Sequence, residues 1–258
     1  MQINMHITTN NPPQPTETLL LLSATKCHPP PPTVSQLPQK RPHLYFAYGS
    51  NLSPTQMAHR CTINPTHSAK PLAIASLRHW RWHINEAGYA NVLPPPGLRI
   101  SSQTSPAADK IPVSGEEDSV FGVLYEMDVG DERILDGYEG VDREAEDSPG
   151  RGEGGKGIDV DIRPREQGEG DYNKWYVDAG AVEWLDEDAR KVWEKDGEQG
   201  EGKGKVRVLV YVDEERVVVS KPNAEYIPRM NRAMREAEEL GVSGRWLEDV
   251  LRRFIPKE

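Results

Sequence analysis

The chain has 258 residues, of which only 36% are hydrophobic and 28% are charged, and its formal net charge is −10. Such an acidic protein repels phosphate backbones and anionic lipids, so we expect neither nucleic acid nor a membrane surface as a partner. The two cysteines are too few for a disulfide framework, and the apolar run at Leu19–Leu22 is far shorter than the roughly 20 residues that span a bilayer. Residues 1–16 contain no Lys or Arg, so no secretory signal peptide is predicted and the expected location is the cytoplasm.

The first 42 residues differ in composition from the rest of the chain. Residues 1–42 are rich in Pro, Thr and Asn, include the run Pro29–Pro32, and have no apolar period of a helix or a strand, so they are predicted to be a disordered Pro-rich tail. One domain is predicted over residues 43–258. Its pattern is interrupted by flexible insertions rich in Gly, Ser, Pro and acidic residues, at about 99–118, 142–171 and 197–205.

The predicted elements alternate irregularly along this domain. Strands are predicted where β-branched and aromatic residues cluster, at Leu44–Tyr48, Leu72–Leu77, His79–Ile84, Ala90–Leu93, Val120–Met127, Tyr172–Asp178 and Val206–Val212. Helices are predicted from the Ser53-Pro54-Thr55-Gln56 start, over Asp131–Tyr138, near Val182–Trp193, along the stripe Ile227, Met230, Met234 and Ala237, and after Ser243. Because short strands have helices inserted between them without a βαβ rhythm, we expect an α+β, barrel-like domain.

The first candidate site lies where the first predicted strand runs directly into a capped helix. Such a turn points several backbone N–H groups at one place, near the positive end of the helix dipole, and Gly49 lets a ligand approach the backbone closely. An anionic or carbonyl oxygen is the natural ligand there. The residues of this candidate cradle are Tyr45, Phe46, Ala47, Tyr48, Gly49 and Ser50. The alternative is a tight turn that needs a glycine for its own geometry.

Two further segments carry candidate residues. Glu139 follows the predicted helix Asp131–Tyr138, where the negative end of the dipole and apolar neighbours disfavour the charged carboxylate and so favour a general base. The alternative is a solvated surface Glu beside the helix-ending Gly140. Tyr226, at the start of a later helix, offers either a hydroxyl to a polar substrate or a ring that packs over the helix end.

Together and in this order, the three segments resemble the γ-glutamylcyclotransferase family. The resemblance rests on Tyr45–Leu52, on Leu135–Val141 with its Tyr-Glu-Gly-Val, and on Tyr226–Asn231. Trp82–Val92 and Val208–Asp213 are also similar to fungal-type members of the family. The likeness covers residues 43–100, 119–141 and about 172–258.

The resemblance implies a small mixed β-barrel with flanking helices. It also implies an enzyme that releases 5-oxoproline from γ-glutamyl amides by attack of the substrate's own α-amine on its γ-carbonyl. It implies Glu139 as the general base, the Tyr45–Ser50 cradle as the binding site of the γ-glutamyl group, and Tyr226 as a further substrate contact. No metal or organic cofactor is expected, and the protein is expected as a monomer or homodimer. Asn51-Leu52 after Tyr-Gly-Ser favours the branch that acts on γ-glutamyl amino acids or amines.

Rival interpretations remain open from the sequence. A binding or regulatory module of the same fold, without turnover, would retain the same segments. Nucleophilic catalysis by Cys61, with His59 or His67 as its base, is a second rival, although a small buried thiol is the commoner role for such a cysteine. Glu86 is an alternative acid or base.

Overall fold

The computed structural model describes residues 43–104, 106, 119–145, 161–163, 166–197 and 204–258. The predicted tail, residues 1–42, lies outside them. Within these ranges the strands are β1 Leu44–Ala47, β2 Pro71–Arg78, β3 Arg81–Ile84, β4 Ala90–Leu93, β5 Ser119–Tyr125, β6 Asp161–Arg163, β7 Asn173–Trp184 and β8 Lys205–Val212. The α-helices are α1 Pro54–Arg60, α2 Pro65–Ser68, α3 Val129–Tyr138, α4 Glu187–Gly197, α5 Tyr226–Glu239 and α6 Gly244–Asp249.

A six-stranded, mostly antiparallel sheet dominates this α+β architecture. Its strand order is β2-β5-β1-β8-β7-β6, and β1 and β8 form its parallel pair. The outer strand β2 also pairs with β7, from Ala73↔Trp184 to Ser76↔Gly180, so β2, β5, β1 and β8 each pair with two strands and β7 pairs with three. The hairpin of β3 and β4 is a separate two-stranded sheet. Strand β1 is fully buried between β5 and β8, and this fixes where the chain leaves the sheet at Tyr48.

Most predicted elements are found, with one clear correction. The predicted helix near Val182–Trp193 is wrong in its first part, because Ala181, Glu183 and Trp184 continue β7 and pair with β2. Helix α4 begins only at Glu187, where Asp186 Oδ1 accepts a 2.7 Å hydrogen bond from the Ala189 N–H. Pairing with a neighbouring strand overrides the local helical period here, as tertiary context commonly does.

The described end of the predicted 142–171 insertion packs on the sheet. Asp161–Arg163 forms β6 along β7, and Ile162 is buried. Gln167 is also buried, and its amide donates to the carbonyls of Gly170 and Asp171 and to Asp213 Oδ1 while Oε1 accepts from the Glu214 N–H at 2.6 Å. This part of the predicted insertion therefore packs with the strands of the domain. The other predicted insertions lie largely outside the described residues.

Gln167→Ala should destabilise the domain, because it leaves the Glu214 N–H and two backbone carbonyls without their buried partner. We expect the free energy of unfolding to fall by about 1–3 kcal/mol, measured by urea denaturation. Glu166→Ala changes the exposed neighbouring side chain and serves as the matched control. Equal denaturation midpoints for the two variants would contradict the anchoring role of Gln167.

His83 is a fully buried titratable group on β3, opposite Asn91 of β4. Burial lowers the pKa of its imidazole to about 4, partly offset by the Arg216 backbone carbonyl. The unfolded chain binds a proton at an ordinary histidine below about pH 6.5, whereas the folded chain binds one only below about pH 4. Between these values the unfolded state binds more protons, so acidification destabilises the fold.

Stability should therefore fall as the pH drops from about 6.5 to about 4, by up to the order of 3 kcal/mol from His83 alone. In His83→Gln this part of the pH dependence should disappear, as seen in urea denaturation at pH 7, 6, 5 and 4. His59→Gln, at an exposed position, should keep the wild-type slope. A wild-type slope in His83→Gln would show that other groups are responsible.

Candidate active site

A cavity of about 390 Å³ opens beside the end of β1, and the predicted segments meet around it. Tyr45, Tyr48, Gly49 and Ser50 line it from the first segment, Glu139 from the second and Tyr226 from the third. Residues nearly 180 positions apart in the chain thus share one enclosed space. A cavity of this size suits a small molecule.

The turn after β1 is held in place by the first residue of α5. The backbone N–H of Ser50 donates to the Tyr226 hydroxyl at 3.2 Å, and the backbone N–H of Ala90 also faces this oxygen. A Cβ on Gly49 would lie only 3.0 Å from the same hydroxyl and 3.2 Å from the Ala90 Cβ, so glycine allows this close approach. The turn and α5 therefore form one packed unit.

The Tyr226 hydroxyl remains a hydrogen-bond donor at neutral pH. Burial raises its pKa to about 12, although the Arg229 guanidinium, stacked 5.2 Å from the ring centre, acts in the opposite direction. Because the oxygen faces two N–H groups, its own hydrogen must point elsewhere. Tyr226 lines the cavity, so a carbonyl oxygen there could accept that hydrogen.

Glu139 stands at the C-terminal end of α3, where a Schellman-type cap fixes its backbone. The Val141 N–H bonds back to the Asp136 carbonyl at 2.9 Å and the Gly140 N–H to the Gly137 carbonyl at 3.3 Å. Gly140 has a φ of +61°, which favours glycine. The helix end that the sequence predicts thus determines where the carboxylate projects.

The carboxylate of Glu139 is mostly buried and is paired with a cation. Arg60, the last residue of α1, donates to Glu139 Oε1 at 2.7 Å, and Asn51 Nδ2 approaches the same oxygen at 3.4 Å. Both contacts involve Oε1, and Oε2 has no partner among the residues that the structure describes. The ring of Tyr138 lies under the Arg60 guanidinium at 4.9 Å. On the side of Oε1, the carboxylate therefore contacts a cation and not the apolar neighbours that the sequence predicts.

A buried polar network fixes α3 against the sheet. Lys174 of β7 forms ion pairs with Glu132 and Asp136 of α3, and Asp136 Oδ1 accepts a 2.7 Å bond from the Tyr211 hydroxyl. The His43 and Lys174 partners hold the pKa of Glu132 down at about 2, against the opposing effect of burial. Two charges on one face of α3 thus set the position of the helix that ends at Glu139.

The cavity floor is made of tyrosines. Burial raises the pKa of each of their hydroxyls above the ordinary value, and the Glu139 carboxylate adds to the effect for some of them. These residues are Tyr45, Tyr48, Tyr172, Tyr211 and Tyr226. All five are therefore neutral at physiological pH and supply polar groups without charge.

Some predicted site residues lie elsewhere. Phe46 and Ala47 are fully buried within β1 and do not line the cavity. Successive residues of a strand point to opposite faces of the sheet, so Phe46 points away from Tyr45, which does line it. Cys61 is buried outside the cavity, and burial and the Asp131 carboxylate raise its thiol pKa to about 12, which disfavours a nucleophilic thiolate.

The side chains considered for other chemistry do not line the cavity either. His59 and His67 are exposed, and neither lines the cavity. Glu86 is exposed and accepts a 3.0 Å bond from the Val218 N–H, while its neighbour Ala87 lines the cavity. Glu86 and the two histidines are thus not brought together with Glu139.

Three arginines at the cavity were not among the predicted site residues. Arg60 pairs with Glu139, Arg216 with Asp171 and Asp213, and Arg229 donates to Ser50 Oγ at 3.1 Å. Arg229 lies within the quoted Tyr226–Asn231 segment, one helical turn after Tyr226, so its place could have been inferred from the i, i+3 spacing. Nothing in the local sequence marks Arg60 or Arg216.

Within the described ranges, no group of three or more His, Cys, Asp or Glu side chains is arranged to hold a metal ion. None of the helices described is long and apolar enough to cross a membrane.

Comparison with known proteins identifies no family for this chain. No protein-family model matches the chain, and no curated protein matches it. Among solved structures, the crystal structure of YkqA from Bacillus subtilis is similar at 17% identity and a TM-score of 0.46, with 85% of this chain and 57% of that chain covered. The chain thus spans under two thirds of the length of that protein, and the similarity is too weak to carry an argument about fold or function.

Tyr226→Phe should loosen the turn at Ser50, because it removes the oxygen that two buried N–H groups face. We expect the free energy of unfolding to fall by about 1–3 kcal/mol in chemical denaturation. Tyr138→Phe makes the same change on a ring that is 59% exposed and should be nearly neutral. If both variants unfold like the wild type, the Tyr226 hydroxyl does not anchor the turn.

Proposed function

We propose that this protein is a γ-glutamylcyclotransferase that releases 5-oxoproline from γ-glutamyl amino acids or amines. The observation that supports the proposal most is that Glu139 lines the same cavity as the Tyr48–Ser50 turn and Tyr226. One carboxylate and one set of hydrogen-bond donors are what an intramolecular acyl transfer requires, because the nucleophile and the electrophile belong to the same substrate.

The strand pairing also agrees with the fold that the resemblance implies. The five strands β2, β5, β1, β8 and β7 form a ring of pairs, closed by β2 with β7. We interpret this ring as the small mixed barrel of the γ-glutamylcyclotransferases, with the cavity at the end of β1. The flanking helices α1, α3 and α5 supply Arg60, Glu139 and Tyr226 to it.

In the proposed reaction, Glu139 accepts a proton from the α-ammonium of the substrate. The freed amine attacks the γ-carbonyl carbon, a five-membered ring closes, and the bond to the leaving nitrogen breaks. Two protons leave the attacking nitrogen overall and the departing amine gains two as it becomes an ammonium ion, so no water or external acid is consumed. Glu139 Oε2, which has no partner within the described part of the chain, is the oxygen available for this transfer.

Negative charge develops on the γ-carbonyl oxygen during the attack. A donor already fixed in a buried site stabilises that charge without reorganising. The Tyr226 hydroxyl fits this role, since its oxygen faces the N–H groups of Ser50 and Ala90 and it stays protonated. The neutral phenols of the floor avoid placing a second negative charge beside the oxyanion.

A binding module without turnover is the second candidate. The 2.7 Å pair between Arg60 and Glu139 favours it, because one oxygen of the carboxylate is already bound by a guanidinium. In that case γ-glutamyl compounds would bind and remain intact.

Purified protein should release 5-oxoproline from γ-glutamyl-alanine or another γ-glutamyl amino acid, and Glu139→Gln should lose most of that activity. Loss of a general base predicts about a 100- to 10,000-fold fall in kcat. Product can be quantified by chromatography. Glu144→Gln, an exposed residue of the following segment, is the matched control and should keep wild-type turnover.

Unchanged product formation by Glu139→Gln would remove this residue from the mechanism. Binding without product for every γ-glutamyl amide tested would instead favour the binding module.

A further inference from the structure

Three side chains that line the cavity contact one another in turn: a cation, an anion and an amide. Arg60 contacts Glu139, and Glu139 contacts Asn51. All three line the cavity, and the side chains of Arg60 and Glu139 are only 12% and 17% exposed. This arrangement is complementary to a ligand that carries a positive and a negative charge close together.

The side-chain amide of Asn51 is hydrogen-bonded through its nitrogen alone, within the described residues. Its amide nitrogen is used twice, donating to the Tyr45 hydroxyl at 2.8 Å and approaching Glu139 Oε1 at 3.4 Å. Its Oδ1 is buried and has no hydrogen-bond partner in the part of the chain that the structure describes. The opposite orientation of the amide would place an oxygen against the carboxylate, so repulsion fixes the nitrogen there. The nitrogen of Asn51 therefore faces Glu139 and helps to hold its carboxylate in place.

Arg60 has donors to spare. A guanidinium carries five N–H groups, and within the described residues its hydrogen-bond partner is Glu139 through Nη1. The Tyr138 ring supports its plane from one side. A planar guanidinium held in this way suits a carboxylate, which it can bind with two parallel hydrogen bonds.

We propose that Arg60 and Glu139, with Asn51 holding the carboxylate in place, form a receptor for a zwitterionic α-amino-acid head, with the α-carboxylate on Arg60 and the α-ammonium on Glu139 Oε2. This inference rests on the proposed function and specifies how that site selects its substrate. In an α-amino acid the two charged groups are attached to one carbon, and here the complementary charges are in direct contact.

Binding then exchanges one ion pair for two. Arg60 moves its hydrogen bonds from Glu139 toward the substrate carboxylate, and Glu139 takes the ammonium in its place. No buried charge is left without a partner, which keeps the desolvation penalty small. The exchange also releases Glu139 from its cation at the moment when it must accept a proton. A substrate without the α-carboxylate would leave Arg60 bound to the base.

The test compares L-γ-glutamyl-L-alanine with its analogue in which a carboxamide replaces the α-carboxylate of the glutamyl residue. Alanine release reports both reactions. The wild type should prefer the carboxylate by about 10- to 100-fold in kcat/KM, as expected for one charge-assisted contact. In Arg60→Gln this preference should fall close to one.

Two further variants make the comparison specific. Arg60→Lys keeps the charge but not the planar fork, and should show a preference between those of the wild type and Arg60→Gln. It also decides the matter if Arg60→Gln fails to fold by circular dichroism. Arg229→Gln removes a different cation from the same cavity and should keep the wild-type preference, whatever its effect on each rate.

A wild-type preference near one would overturn the inference, as would a full preference in Arg60→Gln or its loss in Arg229→Gln instead. If the wild type releases no alanine from either compound, the proposed function fails. The receptor is then tested by calorimetry with the same two compounds. The same pattern in Kd supports the receptor, and equal Kd values for the two compounds with the wild type overturn it.

Discussion

The hydrogen bond from the Ser50 N–H to the Tyr226 hydroxyl joins the two distant parts of the chain on which the site depends. It ties the end of β1 to the first residue of α5, across 176 positions of sequence. Gly49 permits the contact because a side chain there would meet the hydroxyl at 3.0 Å. Both segments line the cavity, and Glu139 at the end of α3 lines it from a third part of the chain.

The position of Glu139 depends on a second, longer-range arrangement. The Schellman-type cap fixes the residue relative to α3, and Lys174 fixes α3 relative to the sheet through Glu132 and Asp136. Asp136 also accepts from Tyr211, whose ring lines the cavity. The carboxylate therefore takes its place from contacts made one to two helical turns before it. Such support from well-packed neighbours is what holds a reactive group in a useful geometry.

Local patterns predicted the elements that have a local cause. Ser53 accepts from the Gln56 N–H as its capping position requires, and Gly140 ends α3 with a positive φ. The boundary between β7 and α4 was missed because Glu183 and Trp184 are held by β2, more than 100 residues away in sequence. Arg60 could not be predicted for the same reason: its meeting with Glu139 arises from how α1 and α3 pack, which no spacing encodes. Nearness in sequence to the turn puts Phe46 and Ala47 in the predicted cradle, but Phe46 points to the face of the sheet opposite Tyr45.

The five tyrosines of the floor supply hydrogen-bonding groups to the cavity, whereas its charges come from other side chains. Between about pH 5 and 9 none of its five phenols changes protonation, since burial holds each pKa above the ordinary value near 10. The ionisable side chains that line the cavity are Arg60, Glu139, Asp171, Arg216 and Arg229. The arginines keep their charge throughout this range. Over this range the floor therefore supplies hydrogen-bonding groups to a ligand without any change in its own charge.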